Sequence, residues 1–100
     1  MEIITTESFK QWLSHLKDRA AVQRIQARIR RASEGNLGDS KFLRDGIGEM
    51  RIDYGPGYRI YYMRRGNLLL VLLVGGDKTS QDVDIKHAIE LASEWERKNG

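Results

Sequence analysis

The sequence of 100 residues contains no cysteine, one proline and two histidines. Without cysteine the chain has no disulfide, no thiolate metal ligand and no thiol nucleophile, and this composition suits a reducing compartment such as the cytoplasm. Two histidines far apart in the sequence do not predict a metal site. The longest apolar run, at 68–74, is too short to span a bilayer, so no membrane association is predicted. The first residues lack a basic segment followed by a long apolar one, and no signal peptide is predicted.

The charged residues favour positive charge slightly, with 17 Lys and Arg against 14 Asp and Glu, a formal net charge of +3. An excess of this sign favours an anionic partner. A chain of this length buries one modest core, so residues 1–100 are expected to form a single domain. Gly75-Gly76 lacks the spacing of a P-loop or dinucleotide fingerprint, and no nucleotide or other cofactor is predicted.

Residues 48–63 consist of two runs of alternating polarity that meet at Gly55-Pro56-Gly57. Their β-branched and aromatic residues, joined by a Gly-Pro-Gly turn, predict a β-hairpin. A turn centred on Pro56 would place Arg51 opposite Tyr61. One face of the hairpin is then apolar, and the other is expected to be open and polar. The residues of that polar face are Glu49, Arg51, Asp53, Arg59 and Tyr61.

The segment before the hairpin predicts a strand and two helices. Residues 2–5 are β-prone and predict an edge strand, after which Thr5 or Thr6 caps a first amphipathic helix. Asp18 is the expected cap of a second helix, and the two should form a helical hairpin. The connection from 34 to 47 is glycine-rich and charged, which is typical of an exposed loop.

The segment after the hairpin predicts a strand and a final helix. The apolar run at 68–74 fits an inner strand covered on both faces, and Thr79 or Ser80 is the expected cap of the last helix. The predicted order is β-α-α-β-β-β-α, an α+β fold. In it a helical hairpin packs on a mostly antiparallel four-stranded sheet and a helix follows at the C-terminus.

Two segments carry a resemblance to a known family: GEMRIDYGPGYRIYY at 48–62 and GGDKTSQ-x-x-DI at 75–85. Over essentially its whole length the chain resembles the RelE/ParE superfamily of toxins from bacterial type II toxin–antitoxin modules. The most similar branch is the HigB-like "addiction module killer protein" group. The resemblance implies a RelE-like fold and a partner antitoxin, expected to be of the helix-turn-helix type and acidic where it contacts the toxin. RelE-like members cleave messenger RNA in the ribosomal A site without a metal, whereas ParE-like members poison DNA gyrase.

Three basic residues suit the cleavage of RNA by a 2′-hydroxyl that attacks its neighbouring phosphate. Arg51 and Arg59 lie on one face of paired strands and could clamp one phosphate through forked donors. Lys78 begins the segment before the last helix, where free amides near Thr79 and Ser80 would add an anion site. The resemblance implies that Arg51, Arg59 and Lys78 correspond to basic catalytic or phosphate-binding residues.

The acid–base groups are less defined, because the family pattern has a further lysine near Glu49 and a tyrosine where this chain has Gln81 to Asp84. Glu49, Asp53 or Asp84 is a candidate general base, and each is alternatively a surface carboxylate or a helix-cap charge. The simpler interpretation of Arg51 and Arg59 is likewise surface salt bridges with Glu49 and Asp53.

Further RNA contacts are predicted outside the catalytic residues. Tyr61, on the polar face of the hairpin, is a candidate for stacking on a base. Arg24, Arg28 and Arg31 line one side of the second helix and either contact RNA phosphates or form a solvated face. The expected function is a ribosome-associated endoribonuclease toxin of the cytoplasm that cleaves translated messenger RNA. The alternatives are a gyrase-targeting toxin and a degenerate toxin that only binds its antitoxin.

Overall fold

The computed structural model describes residues 1–100, and its helices and strands follow one another as an α+β fold. The capping residues explain where the first two helices begin. Thr6 accepts a hydrogen bond from the backbone N–H of Phe9, and Asp18 accepts from those of Ala20 and Ala21. The elements are β1 (Glu2–Thr5), α1 (Glu7–His15), α2 (Arg19–Ser33), β2 (Ser40–Arg44), β3 (Ile47–Ile52), β4 (Tyr58–Arg65), β5 (Leu69–Asp77) and α3 (Gln81–Asn99), with a 3₁₀ turn (Lys78–Ser80) before α3.

The strands form one mixed sheet of five, in the order β1-β5-β4-β3-β2. β1 lies parallel to β5 at one edge, as the sequence predicted for an edge strand, and the other neighbours are antiparallel. The prediction of four strands was wrong because β2 occupies part of the segment that was assigned to an exposed loop. β2 is an edge strand with only two partly buried residues, Ser40 and Leu43. Its alternation is therefore too weak to distinguish it from a loop in the sequence.

Helices cover both faces of the sheet, so the molecule has three layers. Residues of α1 and α2, such as Phe9 and Ile25, pack on one face together with Ile60. Ala88 and Ala92 of α3 pack on the other face, against Tyr61 and Leu73. β5 contributes alternate side chains to each core, which confirms the prediction of an inner strand covered on both faces. The polar face of the hairpin is therefore not open as predicted, because α3 covers part of it. None of the helices is both long and apolar enough to cross a membrane.

Candidate functional site

The register of the β3–β4 hairpin brings two arginines together. Arg51 is the direct partner of Arg59, and Ile52 is the partner of Tyr58. The predicted register was wrong by two residues because the loop contains five residues, from Asp53 to Gly57, and is not a tight turn centred on Pro56. A shift of two residues leaves every side chain on its predicted face, since side chains alternate with a period of two.

Two like charges placed directly opposite each other destabilise a sheet unless carboxylates offset them. Glu49 supplies one offset, with its Oε2 atom 3.9 Å from the Nε atoms of both Arg51 and Arg59. Asp39 supplies the other, accepting a 2.8 Å hydrogen bond from Nη2 of Arg51. This hydrogen bond raises the pKa of Arg51, so its guanidinium group remains charged. The sequence did not indicate Asp39, because its position beside Arg51 follows from the unpredicted strand β2.

The carboxylate between the two arginines is buried, since Glu49 is only 5% exposed. The side chain of Arg59 is 11% exposed, whereas that of Arg51 is 36% exposed. The alternative of salt bridges with Glu49 and Asp53 is confirmed for Glu49, which pairs with both arginines, although this carboxylate is buried and not at the surface. It is wrong for Asp53, which pairs with neither. Removal of the partner of a buried carboxylate lowers stability. Arg59 therefore has a structural role, as the partner of Glu49, in addition to the free donor that it presents to the site.

Lys78 reaches the same site from the end of β5. Its aliphatic chain lies over Gly57, where an added Cβ atom would come within 3.2 Å of it. The glycine has a φ of +81°, a value that L side chains rarely adopt, so the loop conformation and the close contact both favour glycine there. The lysine is exposed and its ammonium group forms no salt bridge.

The sequence had suggested that free amides beside Lys78 bind an anion, but these amides are not free. Asp77 occupies this position, and its Oδ1 atom accepts from the N–H of Thr79 at 2.8 Å and from its hydroxyl at 2.6 Å. These bonds lower the pKa of Asp77. Ser80 makes no capping hydrogen bond, and its hydroxyl instead donates to Oδ2 of Asp84 at 2.6 Å. Ser80 is thus the N-cap residue of α3, one of the two predicted positions, although its side chain does not cap the helix, and Asp77 caps the 3₁₀ turn before α3.

These side chains surround a polar cleft with a volume of about 210 Å³. Several donors at the cleft bond no protein acceptor, namely Nη1 of Arg51, Nη2 of Arg59 and Nζ of Lys78. An anion that enters the cleft can therefore be bound without breaking an existing hydrogen bond, which is the pre-organisation that a phosphate site needs. The residues that line the cleft are Asp39, Arg51, Asp53, Gly57, Arg59 and Lys78.

Tyr61 does not stack on a base, because the structure buries it fully. The prediction was wrong since α3 covers this part of the sheet face. Burial raises the pKa of Tyr61, with the charge of Glu49 as the next cause, and its hydroxyl has no hydrogen-bond partner. The phenol therefore stays neutral and belongs to the core between the sheet and α3.

The three arginines of α2 have different environments. Arg28 is structural, because its guanidinium group donates to the carbonyl oxygens of Arg51, Leu37 and Asp39. Desolvation and the neighbouring Arg31 lower the pKa of Arg28. These three bonds occupy most of the N–H donors of Arg28, so those donors do not contact RNA phosphates as predicted. Arg24 and Arg31 are exposed, as an RNA contact would require.

A metal centre has no obvious ligands in this chain, since no three acidic or histidine side chains cluster closely enough to hold an ion. Asp84 is the remaining candidate base. It lies against Gly76, where an added Cβ atom would collide with its carboxylate, and its bond to Ser80 ties α3 to the 3₁₀ turn. Asp84 therefore has a structural role, because it fixes the segment that carries Lys78.

The fold and the site thus describe an α+β protein with a basic cleft at the end of its central strands. No known family model matches the chain. It is similar to an uncharacterized protein of Haemophilus influenzae, with 51% identity over 94 residues that cover 94% of this chain and 95% of that protein. Identity of this extent over nearly the full length of both shows that the chain belongs to the same family as the Haemophilus influenzae protein.

Proposed function

We propose that this protein is the toxin of a bacterial toxin–antitoxin module, with a RelE-like fold, and that it cleaves translated messenger RNA on the ribosome. The observation that carries the proposal is the convergence of Arg51, Arg59 and Lys78 on one cleft, with an unbonded donor on each. The resemblance of 48–62 and 75–85 to RelE/ParE toxins, in particular the HigB-like branch, supports the same function. A protein that only binds gyrase or an antitoxin does not need a convergent phosphate clamp.

The reaction begins when the 2′-hydroxyl gives its proton to water and its oxygen attacks the adjacent phosphorus. A 2′,3′-cyclic phosphate forms and the bond from phosphorus to the 5′-oxygen breaks. Arg51 and Arg59 stabilise the negative charge of the phosphorane through their free guanidinium donors. The ammonium group of Lys78 supplies the proton that the leaving 5′-oxygen takes. The guanidinium groups do not titrate, so they bind and orient the phosphate but transfer no proton.

Positioning accounts for much of the remaining rate. When the 2′-hydroxyl is already aligned with its phosphate in the bound RNA, the chemical step no longer includes the cost of orienting them or of reorganising solvent, and its barrier is lower. The ribosome contributes to this alignment because it holds the messenger in a defined path. Glu49 fixes both arginines from below the cleft surface, at 3.9 Å from each Nε atom. It is therefore a positioning residue in this scheme, and not the general base, a role for which it was one of three candidates with Asp53 and Asp84.

The partner antitoxin is expected to be acidic where it contacts the toxin. Complementary charge against the arginines of the cleft and of α2 speeds encounter, and a few apolar anchors supply most of the affinity. Phe42 of β2 is a large apolar side chain that is 69% exposed and is suited to such an anchor. Expression of the chain alone should arrest growth, and co-expression of the antitoxin should restore it.

An induction experiment tests the proposed function. Incorporation of labelled amino acids and of labelled thymidine is followed in the first minutes after the protein is expressed. An immediate block of amino-acid incorporation is the expected result. An immediate block of DNA synthesis would instead support the gyrase alternative. Normal growth with full expression of the folded chain would favour a protein that only binds its antitoxin.

A further inference from the structure

A second groove lies beside the cleft, between α2 and the end of β3, with a volume of about 250 Å³. It shares one residue, Asp53, with the cleft, so a ligand that occupies both passes this carboxylate. Its floor includes the apolar side chains of Ala27 and Ile52. The complete lining is Arg24, Ala27, Arg28, Arg31, Ile52 and Asp53.

Asp53 is exposed and forms no hydrogen bond or salt bridge, although cations surround it. The two arginines of the cleft take their carboxylate partners from Glu49 and Asp39 instead. An unpaired carboxylate repels phosphate, so it does not contribute to phosphate binding. An ionised carboxylate accepts hydrogen bonds and donates none, so Asp53 suits a neutral ligand group that carries hydrogen-bond donors.

Arg24 supplies a flat surface next to this carboxylate. Its guanidinium carbon lies 4.5 Å from the centroid of the Tyr54 ring, a cation–π contact that holds the planar group against the aromatic ring. Proteins that recognise single-stranded RNA stack splayed bases on guanidinium planes and read the base edges with polar side chains. The groove therefore combines a stacking plane, an apolar floor and an acceptor next to a phosphate cleft.

We propose that this groove binds a nucleobase next to the cleaved phosphate and selects guanine, an inference that rests on the proposed ribonuclease function. Guanine presents two adjacent donors, N1–H and the N2 amino group, which match the two oxygens of Asp53. Adenine and cytosine present one amino donor beside an acceptor nitrogen, which the carboxylate repels. Uracil presents one donor between two acceptors. Arg24 stacks on the base, and Arg31 faces the phosphates that follow it.

Cleavage-site mapping is the first test. The ends of messenger RNA are sequenced after brief induction of the wild type, Asp53→Asn and the matched exposed control Asp82→Asn. In the wild type and the control, guanine should be enriched at one fixed position beside the cut. Asp53→Asn should lower the ratio of cleavage at guanine to cleavage at adenine about tenfold, the discrimination expected from one bidentate contact. Cleavage without guanine preference in the wild type, or equal loss at all sites in Asp53→Asn, would overturn the inference.

Binding without cleavage is the second test and separates this inference from the proposed function. Short 2′-O-methyl RNAs that differ only in one guanine, inosine or adenine are titrated into the folded protein. Guanine should bind about tenfold more tightly than adenine, inosine should lie between them since it lacks the N2 amino group, and Asp53→Asn should remove the difference. Guanine-selective binding by a protein that cuts no RNA would contradict the proposed ribonuclease function alone. Equal binding of all three RNAs would contradict the guanine site.

Discussion

Arg28 was predicted to contact RNA or solvent, but it instead joins α2 to the segments that carry the cleft, and Arg28→Ala tests this structural role. The wild-type guanidinium group joins α2 to the carbonyl oxygens of Leu37, Asp39 and Arg51. It does not line the phosphate cleft, yet it fixes the backbone of Asp39 and Arg51, whose side chains pair there. The substitution should therefore lower both stability and activity without removing any group that contacts the phosphate.

The magnitude follows from the environment of the three bonds. The bonds to Arg51 and Leu37 are partly buried and the bond to Asp39 is exposed. At roughly 1 kcal/mol for each partly buried bond and little for the exposed one, the loss is about 2 kcal/mol. The desolvation that lowers the pKa of Arg28 shows that burial of its charge opposes part of this gain.

Urea unfolding followed by tryptophan fluorescence measures the effect. With a slope of about 1–1.5 kcal/mol per molar for a domain of this size, the midpoint of Arg28→Ala should fall by about 1.5 M. The matched control is Arg31→Ala, an exposed arginine on the same helix whose side chain makes no hydrogen bond, and it should stay within about 0.5 kcal/mol of the wild type. If Arg28→Ala is as stable as Arg31→Ala, the structural role assigned to Arg28 is wrong.

Three other substitutions test separate parts of the structure by the same unfolding assay. Gly75→Ala should destabilise by about 1–3 kcal/mol, because its Cβ atom collides with the Trp12 ring; an unchanged midpoint would contradict that contact. Tyr61→Phe should be neutral or stabilise by up to about 1 kcal/mol, since the lost hydroxyl has no partner; a clear loss would reveal one. Asp77→Ala should cost about 1 kcal/mol at neutral pH. Because the folded-state pKa of Asp77 lies below its ordinary 3.8, that difference should be fully present above about pH 4 and should be lost as pH falls from there through the folded-state pKa.

The parts of the fold that could be predicted are those with strong local signals. Thr6 and Asp18 are capping residues followed by amphipathic stripes, and the helices begin after them as predicted. The continuous apolar run of β5 predicted a strand covered on both faces, which the two cores confirm. β2 could not be predicted, because an edge strand needs few buried residues and its pairing with β3 is not encoded in its own alternation.

The sequence predicted most of the residues that line the candidate site, but not which of them are buried or which carboxylates pair with the arginines. Arg51, Arg59, Lys78 and Asp53 line one cleft, because side-chain parity survives an error of two residues in register. The burial of Glu49 and Tyr61 depends on α3 packing over that face, which is a long-range contact. The sequence gives no local sign of which part of a polar strand face a distant helix covers.

Cleavage by the Lys78→Ala variant is the most direct test of the ribonuclease proposal. Lys78 is exposed and unpaired, so the variant removes one cleft donor with little effect on the fold. Asp77 caps the nearby amide of Thr79, so that amide does not replace the lost ammonium group. The measurement is the rate at which purified protein generates 2′,3′-cyclic phosphate ends on messenger RNA in stalled ribosomes. Lys86→Ala, an exposed lysine of α3, is the control. We predict cleavage by the wild type and Lys86→Ala, and a loss of about a hundredfold or more in Lys78→Ala. Equal rates for all three proteins, or no cleavage by the folded wild type, would contradict the proposal.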